Sequence, residues 1–272
     1  MKEHVIELLR SVDGGGFAVG YQSISNSNGN ITTSGNSPVN ITIDLGGNKY
    51  TVNPPSVGSS GTETNGFQFL KGSFVKICNG SMELKSGVKC AYLFQNYANL
   101  TLENVKVDIS DNKPCEALIQ SMHGIVNIIG NTSLISGDTY EWNSTDKGTQ
   151  RTIKVMDWNN SAYGDGTQVT VNTTGTIDGS VYASYYNVDG QTDGTGKSTL
   201  TIKNGHFTKD ISRYVHKNSP DIVITGGYFT SDPSAYCADG LTGIASGRAD
   251  YPFTIGPKSV NKAEVAVAEP KV

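Results

Sequence analysis

Charge is scarce in this chain. Lysine, arginine, aspartate and glutamate make up 17% of 272 residues, and the formal net charge is -4. The four arginines, Arg10, Arg151, Arg213 and Arg248, are scattered, so no basic stripe exists to bind nucleic acid or anionic lipid. Long apolar runs are also missing, and no segment reads as a membrane span. The opening "MKEHVIELLRSVDGGG" lacks the uninterrupted apolar stretch of a secretory signal, since Glu3, Glu7 and Arg10 break it. The expectation is a mature fragment or a protein that leaves the cell by another route, such as within a virion released by lysis. Val5, Leu8, Leu9 and Val12 follow helical spacing, which suits a short amphipathic helix, and a strand is an open alternative.

Four cysteines, Cys78, Cys90, Cys115 and Cys237, show no metal-ligand spacing and read as buried or half-buried thiols, with disulfides as the alternative. The histidines His4, His123, His206 and His216 lie too far apart in sequence to pair as ligands. Eight Asn-x-Ser/Thr sequons are explained by the abundance of Asn and Thr. No cofactor is implied.

What the chain does have is glycine, tyrosine, asparagine, serine and threonine, with little of the Leu/Glu/Lys/Ala richness of long helices, so it reads as β-rich. The stretch "STLTIKNGHFTKD" looks at first like a hairpin turning at Asn204-Gly205. Its frame is apolar, any, apolar, any, Asn or Gly, any, any, apolar, and it recurs. Leu200, Ile202, Asn204 and Phe207 are matched by Ile43, Leu45, Gly47 and Tyr50; by Val75, Ile77, Asn79 and Met82; by Leu100, Leu102, Asn104 and Val107; and by Ile222, Ile224, Gly226 and Phe229. Looser copies are "VNIIGNTSL" and "VTVNTTGTI". Intervals between turn positions run from 22 to 32 residues, apart from one of 43 between Gly130 and Thr173. One frame at such intervals predicts a solenoid whose coils repeat a strand and a corner, with Asn or Gly supplying a left-handed backbone at the corner. The predicted fold is therefore all-β, a right-handed parallel β-helix with short capping segments. Residues 1–37 form an N-terminal cap and docking segment, 38–240 the helix, and 241–272 a C-terminal cap and tail. "GDTYEWNSTDKGTQ" reads as a loop excursion or part of an extra coil, and "SDPSAYCADG" as a short helix begun by Ser231 or Asp232 and Pro233 and ended by Gly240.

The rungs "NITIDLGGNKYTV" and "NLTLENVKVDIS" resemble those of the pectate lyase-like right-handed parallel β-helix superfamily. The end "GGYFTSDPSAYCADG" resembles the closing coil of β-helix surface proteins of Gram-positive gut bacteria and their phages. The resemblance covers roughly residues 38–240. It implies the fold and leaves the activity open, because the superfamily holds polysaccharide lyases, glycoside hydrolases, adhesins and phage spikes.

A hydrolase of that superfamily would stack carboxylates on one outward face. The outward column reads Asp44, Lys76, Thr101, Asn127, Thr170, Thr201, Val223, and the next reads Gly46, Cys78, Glu103, Ile129, Asn172, Lys203, Thr225. Neither holds adjacent acids. The family's Asp-Asp and Gly-His-Gly motifs are missing, the nearest approaches being "NGHF" at His206 and "SMHG" at His123. A lyase would need calcium-binding carboxylates and a base beside the uronate, for which Arg151, Lys154 and Asp157 are the weak candidates. Asn187, Asp189 and Asp193 offer oxygen ligands for Ca2+ on a Gly-rich loop without the closing Glu of an EF-hand. Tyr140, Trp142, Trp158, Tyr163, Tyr182, Tyr185 and Tyr186 could stack against sugars; packing or an interface is the alternative. Catalysis is disfavoured. The expectation is a non-catalytic structural or surface-display protein, a phage head-decoration or fibre protein at the virion surface, with a bacterial adhesin or carbohydrate-binding protein, or an extracellular lyase or hydrolase on acidic glycans, as alternatives. Expected partners are further copies as a homotrimer, capsid or tail subunits, and a glycan; no nucleic acid and no membrane.

Overall fold

A computed structural model describes residues 1–25, 31–53, 57–58, 64–159, 166–185 and 195–259, with the backbone alone at 21–25 and 31–36. The chain is all-β, and its two principal sheets are built mostly from parallel strands. The first sheet stacks Glu3–Glu7, Asn40–Asp44, Phe74–Leu84, Asn99–Asp108, Gly124–Gly130, Thr167–Asp178 and Thr199–Phe207 in chain order. The second stacks Ala18–Val19, Phe67–Phe69, Cys90–Asn96, Cys115–Ser121, Arg151–Asp157, Ser180–Tyr185 and Ile211–Arg213, also in chain order. The chain passes repeatedly from one sheet to the other, and each strand lies beside the strand laid down on the previous visit.

Apolar residues at alternate positions dictate this arrangement, because period-2 patterning gives each strand one face to bury. In the first sheet Ile41, Val75, Leu100, Val126, Val169, Leu200 and Ile222 are neighbours in register. Two residues on, Ile43, Ile77, Leu102, Ile128, Val171, Ile202 and Ile224 form a parallel column. Phe67, Phe94, Ile119, Ile153 and Val181 do the same in the second sheet. Both sheets contribute to one core cluster. Like rings stack between strands, Phe67 on Phe94 at 5.4 Å and Phe207 on Phe229 at 5.1 Å. The four cysteines are free thiols, with Cys90 and Cys115 in register in the core and burial holding the Cys115 thiol well above its ordinary pKa.

The Asn204-Gly205 stretch is not a hairpin. Thr199–Phe207 is one strand, paired in parallel with Thr167–Asp178 on one side and with Asp221–Ile224 and Tyr228–Phe229 on the other. Asn79 and Asn104 occupy the left-handed region at φ 59° and 53°. Asn104 does more than tolerate the bend: its Oδ1 accepts from the Asn131 amide at 3.1 Å, linking successive rungs. A Cβ on Gly130, the next corner residue, would lie 2.2 Å from that same Oδ1. In the last two copies positive φ falls one residue later than expected, on Gly205 and Gly227 instead of Asn204 and Gly226; in the first of these glycine takes the bend at less steric cost than the asparagine before it.

Four further expectations change. The N-terminal segment is not a helix: Glu3–Glu7 and Val12–Gly14 are strands paired in parallel with Asn40–Asp44 and Lys49–Val52. Strand pairing satisfies the backbone and outweighs the helical spacing of Val5, Leu8, Leu9 and Val12. Second, Thr42 and not Asp44 stands beside Lys76, while Asp44 stands beside Cys78; two extra residues at Gly46-Gly47, both at positive φ, restore the frame at Tyr50 and Met82. Third, the excursion between coils is an antiparallel hairpin of Thr139–Glu141 and Lys147–Thr149. Fourth, the segment near Pro233 forms a single 3-10 turn, Ser234–Tyr236, with Asp232 Oδ1 accepting from the Ser234 amide at 2.9 Å. Beyond it Leu241–Ala245 and Phe253–Pro257 pair antiparallel, and the latter lies antiparallel on Tyr228–Phe229, closing that end of the first sheet.

Asn104→Ala should cost about 1 kcal/mol more than Asn104→Gly, because both lose the bond to Asn131 and only alanine is strained at positive φ. Urea unfolding of the two variants checks this; equal midpoints would contradict a left-handed corner.

Candidate functional site

The outward face of the second sheet carries a group of charged and aromatic side chains in mutual contact. Tyr92, Glu116, Arg151, Lys154 and Tyr182 come from four successive strands whose register sets Lys154 beside Tyr182 and Arg151 beside Ala117. Lys154 Nζ pairs with Glu116 Oε1, with side chains only 16% and 27% exposed. Tyr92 Oη donates to Glu116 Oε2 at 3.2 Å, and Lys154 Nζ also sits 5.5 Å from the Tyr92 ring centre. Arg151 lies over Tyr182 at 4.5 Å, and burial lowers its pKa. Above this group the hairpin brings Tyr140, whose hydroxyl donates to Asp146 Oδ1 at 3.0 Å, and Trp142, with Lys89 Nζ 5.4 Å from its ring. Burial first, then the Asp146 hydrogen bond, push the Tyr140 phenol up to about 12. Asn143 shapes the hairpin tip by accepting from the Thr145 and Asp146 amides at 2.9 and 2.8 Å.

Of the three weak catalytic candidates, Arg151 and Lys154 therefore share a face and Asp157 does not join them. Asp157 is fully buried; its Oδ1 accepts from the Thr195 amide and hydroxyl, both at 2.7 Å, fastening the chain that enters Thr199–Phe207. It is a structural anchor.

The aromatic residues separate into distinct settings. Tyr140, Trp142 and Tyr182 belong to the face just described. Trp158 packs on Tyr97 at 6.0 Å, in a second apolar cluster with Leu70, Met122 and Met156. Tyr185 stacks on His216 at 4.1 Å, with Tyr214 at 5.8 Å. Trp142, Trp158 and Tyr185 thus do not form one platform. Tyr163, Tyr186, Asn187, Asp189 and Asp193 lie outside the described residues. Among those described, no group of three His, Cys, Asp or Glu side chains is arranged to hold a metal ion.

One cluster escaped the sequence reading. Beyond the corner, Asp13, Thr51, Glu83 and Asp108 are successive neighbours in register, which places Glu83 and Asp108 side by side on adjacent strands. They line a groove of about 390 Å³ with Lys49, Lys85 and Asp111. Three of the acids have a lysine: Lys49 reaches Glu83 at 2.8 Å, Lys106 reaches Asp108 at 3.3 Å, and Lys85 reaches Asp13 at 3.9 Å. The hydrogen bond from Lys49 holds the Glu83 carboxyl below its ordinary pKa. The signal was present in the apolar positions Tyr50, Met82 and Val107, each of which precedes a residue of this column.

No protein-family model, curated protein or solved structure matches the chain.

Two outcomes follow from this geometry. Glu116→Gln should destabilise the fold by about 1–2 kcal/mol because it leaves the Lys154 ammonium enclosed without its counter-charge, and adding Lys154→Met should recover most of the loss. A double-mutant cycle in urea measures it, and additive effects would refute the coupling. Asp146→Asn should bring the Tyr140 phenol down from about 12 toward the ordinary value of 10, because it removes an anionic acceptor that favours the protonated phenol. NMR titration of labelled tyrosine reads the shift.

Proposed function

We propose that the chain is a right-handed parallel β-helix acting as a rigid, non-catalytic display element, within that class a phage virion decoration or fibre protein. The observation that carries the non-catalytic reading is the state of its polar groups. A base for proton abstraction or a water-activating carboxylate needs an open hydrogen-bonding position toward substrate. Lys154 is held by Glu116, Glu116 by Lys154 and Tyr92, Asp157 by Thr195, and Glu83 by Lys49 and Thr51. At each of these three places the acid is already engaged by a partner within the fold. The β-helix reading is supported by the alternation of parallel strands between two sheets around one core. The surface-display reading rests on the resemblance of the rungs and closing segment to β-helix surface proteins of bacteria and their phages, and a virion protein is the form of it that we propose.

A second reading, sugar binding without turnover, is favoured at one place. Tyr214 is 48% exposed beside Tyr185 and His216, a cluster of rings at the flank that a pyranose could meet with its apolar face.

Incubation with polygalacturonate, alginate and hyaluronate should release neither unsaturated uronate chromophore nor reducing ends. Turnover that is lost in Lys154→Ala or Glu83→Gln would overturn the display reading. A glycan array with wild type and Tyr185→Ala decides the second.

A further inference from the structure

The two ends of the first sheet are finished differently. At one end Phe253–Pro257 crosses antiparallel and Leu241–Ala245 lies on its outer side, so Tyr228–Phe229 has no free edge there. At the other end Glu3–Glu7 pairs only with Asn40–Asp44 among the described residues, leaving one row of its amides and carbonyls open. All five of its residues are exposed, and apolar side chains gather here: Val5 is 65% exposed, Ile6 51% and Leu9 85%. Ile6 is in register with Ile43 and continues that core column outward. An open edge beside the exposed core-column residue Ile6 is a template for another strand.

The C-terminal residues 260–272 match that template. "NKAEVAVAEPKV" alternates around Val265 and Val267, the period of a strand with one apolar face, and Pro270 ends it. Laid parallel to Glu3–Glu7 with Val265 beside Ile6, it puts Val267 beside Leu8 and Lys262 beside Glu3. Glu3 is the outward carboxylate that accepts from Thr42 at 2.7 Å. In this register Val265 and Val267 extend the column of Ile6 and Leu8 and Lys262 meets Glu3, while Glu264 falls beside Val5. A second Glu3–Glu7 strand would fit worse, because antiparallel pairing centred on Val5 opposes Glu3 to Glu7.

Geometry decides whose tail it is. Eight strand-to-strand steps separate Glu3–Glu7 from Phe253–Pro257, roughly 38 Å at about 4.8 Å each. The residues between Lys258 and Val265 extend at most about 24 Å. A tail cannot lay Val265 against its own edge. We propose that residues 260–272 of one copy add a parallel strand to the Glu3–Glu7 edge of another, joining copies head to tail. The contact is heterologous, so it closes into a ring or runs on as a fibre according to the rotation between copies. The inference goes beyond the display reading and stands on the strand stacking alone.

Light scattering on the full chain should show mass rising with concentration, and the full-length double substitution Val265→Asp/Val267→Asp should be monomeric. A fluorescent peptide of residues 260–272 should bind that monomer, and bind at least tenfold more weakly when Ile6→Lys is added, with circular dichroism confirming the fold. If Ile6→Lys does not fold, a scrambled peptide supplies the control. A monomeric wild-type chain, association that survives the double substitution, or peptide binding indifferent to Ile6→Lys or to scrambling would each overturn the proposal. Glycan turnover would sink the display reading and leave these outcomes untouched.

Discussion

Parallel register between successive strands is the constraint from which the remaining structure follows. Once Val75 is beside Leu100 and Leu100 beside Val126, each rung inherits its inward positions from the one before, and a one-residue slip would turn every apolar side chain to solvent. Burying the columns of both sheets in one cluster supplies the stability, and the backbone bonds along the stack fix the spacing. Each rung contacts chiefly its neighbours, so a fault is felt locally and the two ends are the weak points.

The same register that builds the core composes the surface. Residues far apart in sequence meet because they hold equivalent places in neighbouring rungs: Glu116 with Lys154, Glu83 with Lys49 and Asp108, Asn104 with Asn131. Ladders of this kind can assemble a reaction centre or neutralise themselves. Here Glu116 pairs with Lys154 and Glu83 with Lys49, although Glu83 also stands beside Asp108, and aromatic rings cover Lys154 at Tyr92 and Arg151 at Tyr182. The Lys154 ammonium is turned to Glu116 and the Tyr92 ring, which leaves the Glu116 carboxylate held from two sides.

Most of the strand stacking was legible in the repeating frame, because period-2 patterning and a corner residue are local signals. Asn79 and Asn104 were identifiable since only a few residue types accept their φ. The register at Asp44 was not: Gly46-Gly47 could equally have been a corner or a bulge, and only the pairing with Cys78 decides. At the N-terminus helical spacing left helix and strand both open, and tertiary pairing with Asn40–Asp44 decides for the strand. For the site, Arg151, Lys154 and the hairpin aromatics were visible as a concentration of types. Asp157 beside them was misleading, because adjacency in a strand says nothing of which face a side chain takes once Thr195 is there to bind it. Glu83 and Asp108 lay past the corner, where the tabulated columns stopped.

The ends extend the argument from the core to the assembly. A stack of parallel strands has no intrinsic terminus, since each rung offers the next the same edge and the same columns. Termination must be built, and in the first sheet it is built once: the chain reverses, and Phe253–Pro257 meets Tyr228–Phe229 antiparallel, in a register no further parallel rung can copy. At Glu3–Glu7 no second strand partner is present among the described residues, and Ile6 continues the core column. Several described strands are held from one side, Ala18–Val19 and Ile211–Arg213 among them, but Glu3–Glu7 combines that open side with a bare core-column residue, Ile6, and is where further order would be added.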